Sequence, residues 1–164
     1  MSLLKIRTFP DAVLRRVSKP VDAIDSETKR FIERLTKPMS AQPGGIGIAA
    51  PQVGVLRRIA IVDVSRKIPG TKKLILINPE IIETWESQVF REGCMSLADY
   101  TANVRRAHKI HVSWQGMDLK KHALVTSGLE AICIQHEIDH LNGLLFVDRV
   151  SSLKTDVFRR KRYL

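Results

Sequence analysis

The chain has 164 residues, of which 44% are hydrophobic and 27% charged, and it contains two cysteines. This composition excludes a disordered, a collagen-like and a disulfide-built protein, and a chain of this length can bury enough surface to form its own core. The formal net charge of +10 predicts attraction to polyanions such as nucleic acid or a ribonucleoprotein, although such a charge can also serve solubility alone.

The N-terminus resembles no targeting segment. No apolar run of signal-peptide length follows Met1, and the longest apolar runs, such as 59–62 and 74–77, are far too short to cross a bilayer. The low cysteine content favours a reducing compartment. We therefore expect a soluble, cytoplasmic protein, and because no repeat or linker divides the sequence we expect one domain over residues 1–164.

The predicted elements begin with a short turn or helical start at 10–14. Residues 25–27 are typical of a helix cap, and the apolar spacing that follows predicts an amphipathic helix that ends by Pro38. After a break at 42–45, the alternation of apolar residues predicts strands at 58–64, 73–78, 81–90, 108–114 and 122–126.

A second helix is predicted from about Gly128 to Asn142. Ser127 and Glu130 have the spacing of a capping box, and Asn142 with the following glycine provides a stop. This helix is apolar on two faces, which indicates burial. We therefore expect an α+β fold with antiparallel or mixed β-sheets around a central buried helix, and a basic, exposed C-terminal helix over 151–164.

The buried helix contains the pattern H-E-x-x-H, at His136, Glu137 and His140. Residues four apart project from the same side of a helix, so both imidazoles can hold one metal ion, and the glutamate can reach a water on it. The alternative is a pair of core histidines without a metal. A buried glutamate without a partner is costly, which favours the metal site.

A catalytic site of this kind usually has three protein ligands and one open position. Cys133 lies one turn before His136, too far for a short thiol to reach a metal between the two imidazoles, and we interpret it as an apolar wall residue. Cys94 follows Gly93 in a loop or strand end, where the missing side chain permits close approach to a ligand. Beside the histidine pair, Cys94 is the better candidate for the third ligand.

The third informative segment is 45–54, which is rich in glycine and other small residues. It lacks the pattern of a phosphate loop. Small residues here would let an extended substrate backbone approach and pair as a strand, and Gln52 could aim its amide at a carbonyl group. The alternative is a tightly packed turn.

Together the three segments resemble the peptide deformylase family. Residues 45–52 are similar to its motif G-x-G-x-A-A-x-Q, 92–96 to E-G-C-x-S, and 135–143 to Q-H-E-x-D-H-L-x-G, and the resemblance extends over nearly the whole chain. Leu97, Ala98 and Thr101 stand where many members have Ile or Val, Pro, and an Arg that helps to hold the peptide.

The resemblance implies an enzyme that removes the formyl group from the initiator formylmethionine of new polypeptides and releases formate. The implied metal is Fe(II), one per chain, for which Zn, Ni or Co can substitute. Its implied ligands are Cys94, His136 and His140. The implied catalytic groups are Glu137 as acid and base, and Gln52 with the backbone NH of Met95 as donors to the oxyanion.

The resemblance also implies a supporting ion pair between Glu92 and Arg106. We expect an apolar pocket sized for an unbranched methionine side chain. The residues expected to contact the substrate are Ile46, Gly47, Phe90, Gly93, Leu129, Ile132 and Cys133.

The expected partners are formylmethionyl nascent peptides and the ribosome, reached through the basic C-terminal helix, with no role for DNA or a membrane. One alternative is a zinc endoprotease, which usually takes its third ligand from a downstream His or Glu, whereas this chain has neither after Gly143. The other is a basic ribosome- or RNA-binding module without catalysis. That function is compatible with the enzyme but leaves the H-E-x-x-H pattern unexplained.

Overall fold

The computed structural model describes residues 3–42 and 44–160. Within these ranges the chain forms two α-helices and six β-strands, which confirms the α+β class. The helices are α1 (Ser26–Ala41) and α2 (Gly128–Leu141), and the strands are β1 (Gly47–Ala49), β2 (Ile59–Val62), β3 (Leu74–Gly93), β4 (Tyr100–Gln115), β5 (Lys121–Ser127) and β6 (Val157–Arg159). Neither described helix is both long enough and apolar enough to span a bilayer.

The described strands form one antiparallel sheet in the order β1-β2-β3-β4-β5, and β6 pairs with β4. The strands predicted at 73–78 and 81–90 are two parts of β3. The register shifts between Ile77 and Glu80, where Asn78 adopts a φ of 51°, so the break in the sequence pattern marks an irregularity inside one strand.

The first strands of the sheet are covered on both faces because successive side chains point to opposite sides. One set packs against α1, and its members include Ile48, Ile59, Ile61 and Ile77. The other set packs against α2, and its members include Ala49, Ala60, Val62 and Leu76. This second contact explains why α2 is apolar on more than one face and confirms that it is buried.

Helix α1 begins as predicted, since the Asp25 side chain accepts a hydrogen bond of 2.8 Å from the NH of Thr28. The prediction that it ends by Pro38 is wrong, because the helix continues to Ala41. Pro38 and Met39 are both buried, and Met39 belongs to the apolar cluster between α1 and the sheet. This burial offsets the backbone hydrogen bond that proline cannot make.

Helix α2 lies close to its predicted position, with Ser127 at its N-cap and Gly143, at a φ of 75°, following its end. The predicted capping box is wrong. The Ser127 side chain makes no capping hydrogen bond, and Glu130 accepts one of 2.8 Å from Thr126 Oγ1 instead. A neighbouring hydroxyl therefore takes the place of the helix backbone as partner of the glutamate.

The prediction of a helix over 151–164 is wrong for residues 151–160, which form turns and then β6. Strand β6 pairs with the start of β4, a part of β4 that β5 does not cover. Val157 packs beside a buried cluster that includes Cys94 and Phe146, which anchors the strand. Residues 161–164 of the predicted helix lie outside the described residues.

Candidate metal centre

Three potential metal ligands from two distant parts of the chain meet at one end of α2. Cys94 follows the last residue of β3, while His136 and His140 lie one turn apart on α2. One ligand atom from each lies within 4.8 Å of the other two, and Cys94 Sγ is 3.3 Å from His140 Nε2. The helix thus supplies the predicted pair of imidazoles, and the turn between β3 and β4 brings the thiol to them.

A network of charged side chains, most of them buried, surrounds His136 on the side away from the other candidate ligands. His136 Nδ1 lies 2.8 Å from Glu92 Oε1, and Arg106 Nη2 donates to the same carboxylate at 3.0 Å. Arg106 Nη1 also donates to Asp139 Oδ2 at 2.9 Å, and Arg149 bonds to both oxygens of Asp139. These contacts fix the orientation of the His136 ring, as carboxylates commonly do for metal-binding histidines.

The charges around the centre shift the titration of its groups. Burial alone would raise the pKa of Glu92, but hydrogen bonds from His136 and Arg106 hold it below its usual value. Burial lowers the pKa of His136, but its contacts with Cys94 and Glu92 produce a net rise. Burial and the positive groups nearby lower the pKa of His140 well below its usual value, so its ring is neutral and has a lone pair available.

Glu137 faces a cavity beside the three ligands and is only 3% exposed. Burial raises its pKa to about 7, against a smaller opposing effect of His136 and Arg106. Its Oε1 atom has no hydrogen-bond partner among the described residues. A buried carboxyl group with such a pKa can both accept and donate a proton near neutral pH.

The segment 45–54 lies against this carboxyl group. A Cβ atom on Gly47 would be 2.5 Å from Glu137 Oε2 and 2.7 Å from Cys133 Sγ, so only glycine fits without displacing them. Strand β1 can therefore lie this close to α2 because Gly47 has no side chain. The glycine pattern was interpreted as room for a substrate backbone, whereas at Gly47 the structure shows close packing of β1 on α2.

Gln52 is buried at 1% exposure in a short 3-10 helix, Ala50–Val53, directly after β1. Its Oε1 accepts a hydrogen bond of 3.0 Å from the NH of Ala49, which fixes the orientation of the amide. Its Nε2 is thereby turned towards Ser96 Oγ at 3.1 Å and Cys94 Sγ at 3.6 Å. Met95 begins another short 3-10 helix, a position where a backbone NH has no partner within the helix.

The cavity has a volume of about 350 Å³ and is bounded by Gln42, residues 44–47, Gln52, the end of β3, and α2. All the residues that we expected to contact the substrate line it: Ile46, Gly47, Phe90, Gly93, Leu129, Ile132 and Cys133. The Cys133 thiol lies 3.5 Å from the carbonyl oxygen of Ile46 and apart from the group of three ligands. Burial raises its pKa well above the usual value, which keeps this thiol protonated.

Sequence reasoning missed several residues of the site. Lys67, Arg91 and Arg160 also line the cavity, and Ser96 holds the amide of Gln52. Arg160 had a visible signal in the basic C-terminal cluster, which we had assigned to an exposed helix, and Ser96 is the last residue of the motif at 92–96. The others come from loops and strand ends whose spatial relation is not encoded in local spacing.

The donor set is suited to a metal ion that accepts both sulfur and nitrogen. One thiol and two imidazoles leave a fourth position for water or substrate, and softer divalent ions such as Fe(II) and Zn bind these ligands. Among residues 3–42 and 44–160, the buried polar atoms without a hydrogen-bond partner include Nδ1 of His140, which is one of the three candidate ligands, and Oε1 of Glu137, which lies beside them. The residues therefore fit a single, partly open metal centre.

Comparison with known proteins shows which family this chain resembles. The family model described as polypeptide deformylase matches residues 3–156. A peptide deformylase from Rhizobium meliloti is 41% identical over 162 residues, which cover 98% of this chain and 92% of that protein.

Solved structures agree with this result. The crystal structure of peptide deformylase from Thermotoga maritima has a TM-score of 0.85 at 38% identity and covers 93% of this chain and 100% of that one. The enzyme from Ehrlichia chaffeensis, solved in complex with actinonin, has a TM-score of 0.86 at 34% identity and covers 94% and 92%. Sequence and fold thus give the same result.

Proposed function

The chain belongs to the polypeptide deformylase family, and from this premise we propose the roles that its residues take in the reaction. The reaction removes the formyl group from the N-terminal formylmethionine of newly made polypeptides and releases formate. Neither an endoprotease nor a purely RNA-binding module is favoured, since the relatives that match nearly the whole chain are deformylases. The observation that carries the assignment of roles is the convergence of three ligands beside Glu137.

The proposed ligands of one metal ion are Cys94, His136 and His140. The family is a metalloenzyme family, and the proposed ion is Fe(II), with Zn, Ni or Co as substitutes in the same site. When bound, such an ion polarises a carbonyl group and lowers the pKa of water. Glu92 contributes by holding the His136 ring with Nε2 towards the other ligands.

The substrate is proposed to enter the cavity with its methionine side chain among apolar walls. These walls are Ile46, Phe90, Leu129, Ile132 and Cys133. The peptide backbone would lie along β1 and residues 44–46 before it, where an extended chain can pair with the edge of the sheet.

Glu137 is proposed to move the proton. It accepts one proton as water attacks the formyl carbon, and it later donates one to the leaving amine, so that the C–N bond breaks and formate and a free N-terminus are released. Its buried position and its pKa of about 7 support both roles.

The oxygen of the formyl group gains negative charge during this attack. We assign its stabilisation to Gln52 Nε2 and the backbone NH of Met95, because the Gln52 amide is already fixed by the NH of Ala49 and faces Cys94. A preorganised donor of this kind is typically worth about 3 kcal/mol in the transition state.

Selection of the formyl group is proposed to depend on space near Glu137. The closeness of Gly47 to this carboxyl group and to Cys133 leaves a narrow site. A formyl group is smaller than an acetyl group by one methyl, so an acetylated peptide should be excluded.

We further propose that residues 1–164 act as one catalytic domain in the cytoplasm and that the C-terminal segment contacts the ribosome through exposed basic residues such as Lys154. The exposure of the Lys154 side chain supports this contact. The variant Lys154→Glu tests it in ribosome cosedimentation at increasing salt. Unchanged, salt-insensitive cosedimentation would contradict it.

The central experiment measures metal content after anaerobic purification and formate release from formyl-Met-Ala-Ser. Acetyl-Met-Ala-Ser is the control substrate, and both are assayed before and after chelation. The expected result is about one metal per chain and chelator-sensitive formate release from the formyl peptide alone. A metal-loaded protein that releases no formate would contradict the proposed roles.

A further inference from the structure

The mouth of the cavity is positively charged. Among the described residues, three cationic ones line it, namely Lys67, Arg91 and Arg160, and the acidic ones are Glu92 and Glu137. Both of these glutamates are buried, and the charge of Glu92 is compensated by Arg106 and His136. A ligand at the mouth therefore meets positive charge.

Arg160 is held at this mouth by its backbone. Its NH donates a hydrogen bond of 2.7 Å to the carbonyl oxygen of Asp99, and it directly follows β6, which pairs with the start of β4. Its guanidinium group lies over Gly93, where an added Cβ would overlap Nη2 of Arg160. The backbone of Arg160 is thus fixed, and its side chain lies next to Gly93, the residue that precedes Cys94.

The other arginine at the mouth is already engaged. Arg91 Nε donates to Asn103 Oδ1 at 2.9 Å, and its guanidinium carbon lies 4.0 Å from the centre of the Phe158 ring. The guanidinium group of Arg160 makes no hydrogen bond or ion pair with any residue of the described ranges 3–42 and 44–160. Of the two arginines, Arg160 has its donors available.

We propose that Arg160 is a specificity residue that binds a carboxylate of the substrate, supplied by an acidic side chain in the two residues after the formylmethionine. This inference rests on the proposed function. The planar guanidinium group matches a carboxylate with two parallel hydrogen bonds. Because an extended chain advances about 3.3 Å per residue, the two residues after the methionine lie within about 10 Å of the formyl group. Gly93, beside which the Arg160 guanidinium group lies, directly precedes Cys94.

The test compares three peptides with amidated C-termini, so that no terminal carboxylate interferes: formyl-Met-Glu-Glu, formyl-Met-Gln-Gln and formyl-Met-Lys-Lys. Formate release gives kcat and KM for the wild type, Arg160→Ala, Arg160→Lys and Arg159→Ala. The last variant removes the same charge from the adjacent, exposed residue, which does not line the cavity. Thermal unfolding establishes that each variant is folded.

For the wild type we expect a KM about fivefold lower for the Glu peptide than for the Gln peptide, as an exposed ion pair allows. Arg160→Ala should abolish this difference by raising KM for the Glu peptide alone, with kcat unchanged. Arg160→Lys should retain part of the preference, and Arg159→Ala should retain all of it.

Two results would overturn the inference while leaving the proposed function intact. One is an unchanged preference for the Glu peptide in Arg160→Ala, and the other is an equal loss in Arg159→Ala, which would indicate a general effect of charge. Absence of formate release from all three peptides by the metal-loaded wild type would overturn the proposed function itself, and the inference with it.

Discussion

His136 Nδ1 lies 2.8 Å from Oε1 of Glu92, a carboxylate that is buried and also bound by Arg106. Because Nδ1 faces this carboxylate, Nε2 is the ring nitrogen on the side of the other candidate ligands, and metal binding there requires Nε2 to be without a proton. The orientation of one metal ligand thus depends on a residue of β3 that does not itself belong to the group of three.

Glu92→Gln should weaken metal binding about 10- to 100-fold, because the neutral amide holds the His136 ring less firmly and lowers its basicity. Competition with a chromogenic chelator measures this affinity. Glu130→Gln is the matched control, since Glu130 is also buried but bonds to Thr126, away from the centre. Equal metal affinity in the two variants would show that Glu92 plays no part in the site.

Replacement of the two cysteines should separate a ligand from a wall residue. Cys94→Ala is expected to purify with little or no metal, whereas Cys133→Ala should retain about one metal per chain, because its thiol lies outside the group of three. Metal analysis of both anaerobically purified variants provides the measurement. Loss of metal in Cys133→Ala alone would reverse the assignment.

Glu137→Gln should keep its metal and lose turnover by about 10²- to 10⁴-fold, the range typical for removal of an acid and base group. The amide preserves the shape of the buried side chain, so the fold should be retained. Formate release and metal content are measured on the same sample. Turnover near that of the wild type would exclude Glu137 from proton transfer.

Gly47→Ala should reduce formate release strongly while metal is retained. The added methyl group meets the Glu137 carboxyl group and the Cys133 thiol, and these two must move for it to fit. None of the three ligands lies among these neighbours. A variant with the kcat/KM of the wild type would show that the approach of β1 to α2 is not needed for activity.

Arg106→Leu should destabilise the protein by about 3–5 kcal/mol, because it leaves Glu92 and Asp139 as buried carboxylates without their shared cation. Arg149→Leu should cost about 1 kcal/mol or less, since Arg149 is half exposed and its pair with Asp139 is screened by solvent. Denaturant unfolding of the two metal-free variants compares them. A similar decrease in the free energy of unfolding in both variants would contradict the proposal that Arg106 is the main partner of the two buried carboxylates.

Local signals predicted the helix that carries the site. The cap at Ser127 and the stop at Asn142 gave the bounds of α2 nearly to the residue, although the partner of Glu130 is Thr126. Such signals are strong because capping and left-handed glycine conformations depend on neighbours in sequence.

Elements that depend on distant partners were predicted less well. The first half of β4 was missed because the buried Arg106 interrupts its apolar alternation. Arg106 can be buried because it forms ion pairs with Glu92 on β3 and Asp139 on α2, which are distant in sequence. The strand β6 was missed for a similar reason. Its three residues, Val157–Arg159, directly precede a run of basic residues that favoured an exposed helix, and only the uncovered edge of β4 makes them a strand.

Strand β1 also has a consequence for the behaviour of the protein at high concentration. It has only three residues and forms the edge of the described sheet, with β2 on one side. Long, uncovered edge strands promote aggregation because they offer many unpaired backbone groups to another chain. An edge this short can accept the end of an incoming peptide, yet it offers a second folded copy too few hydrogen bonds for stable association.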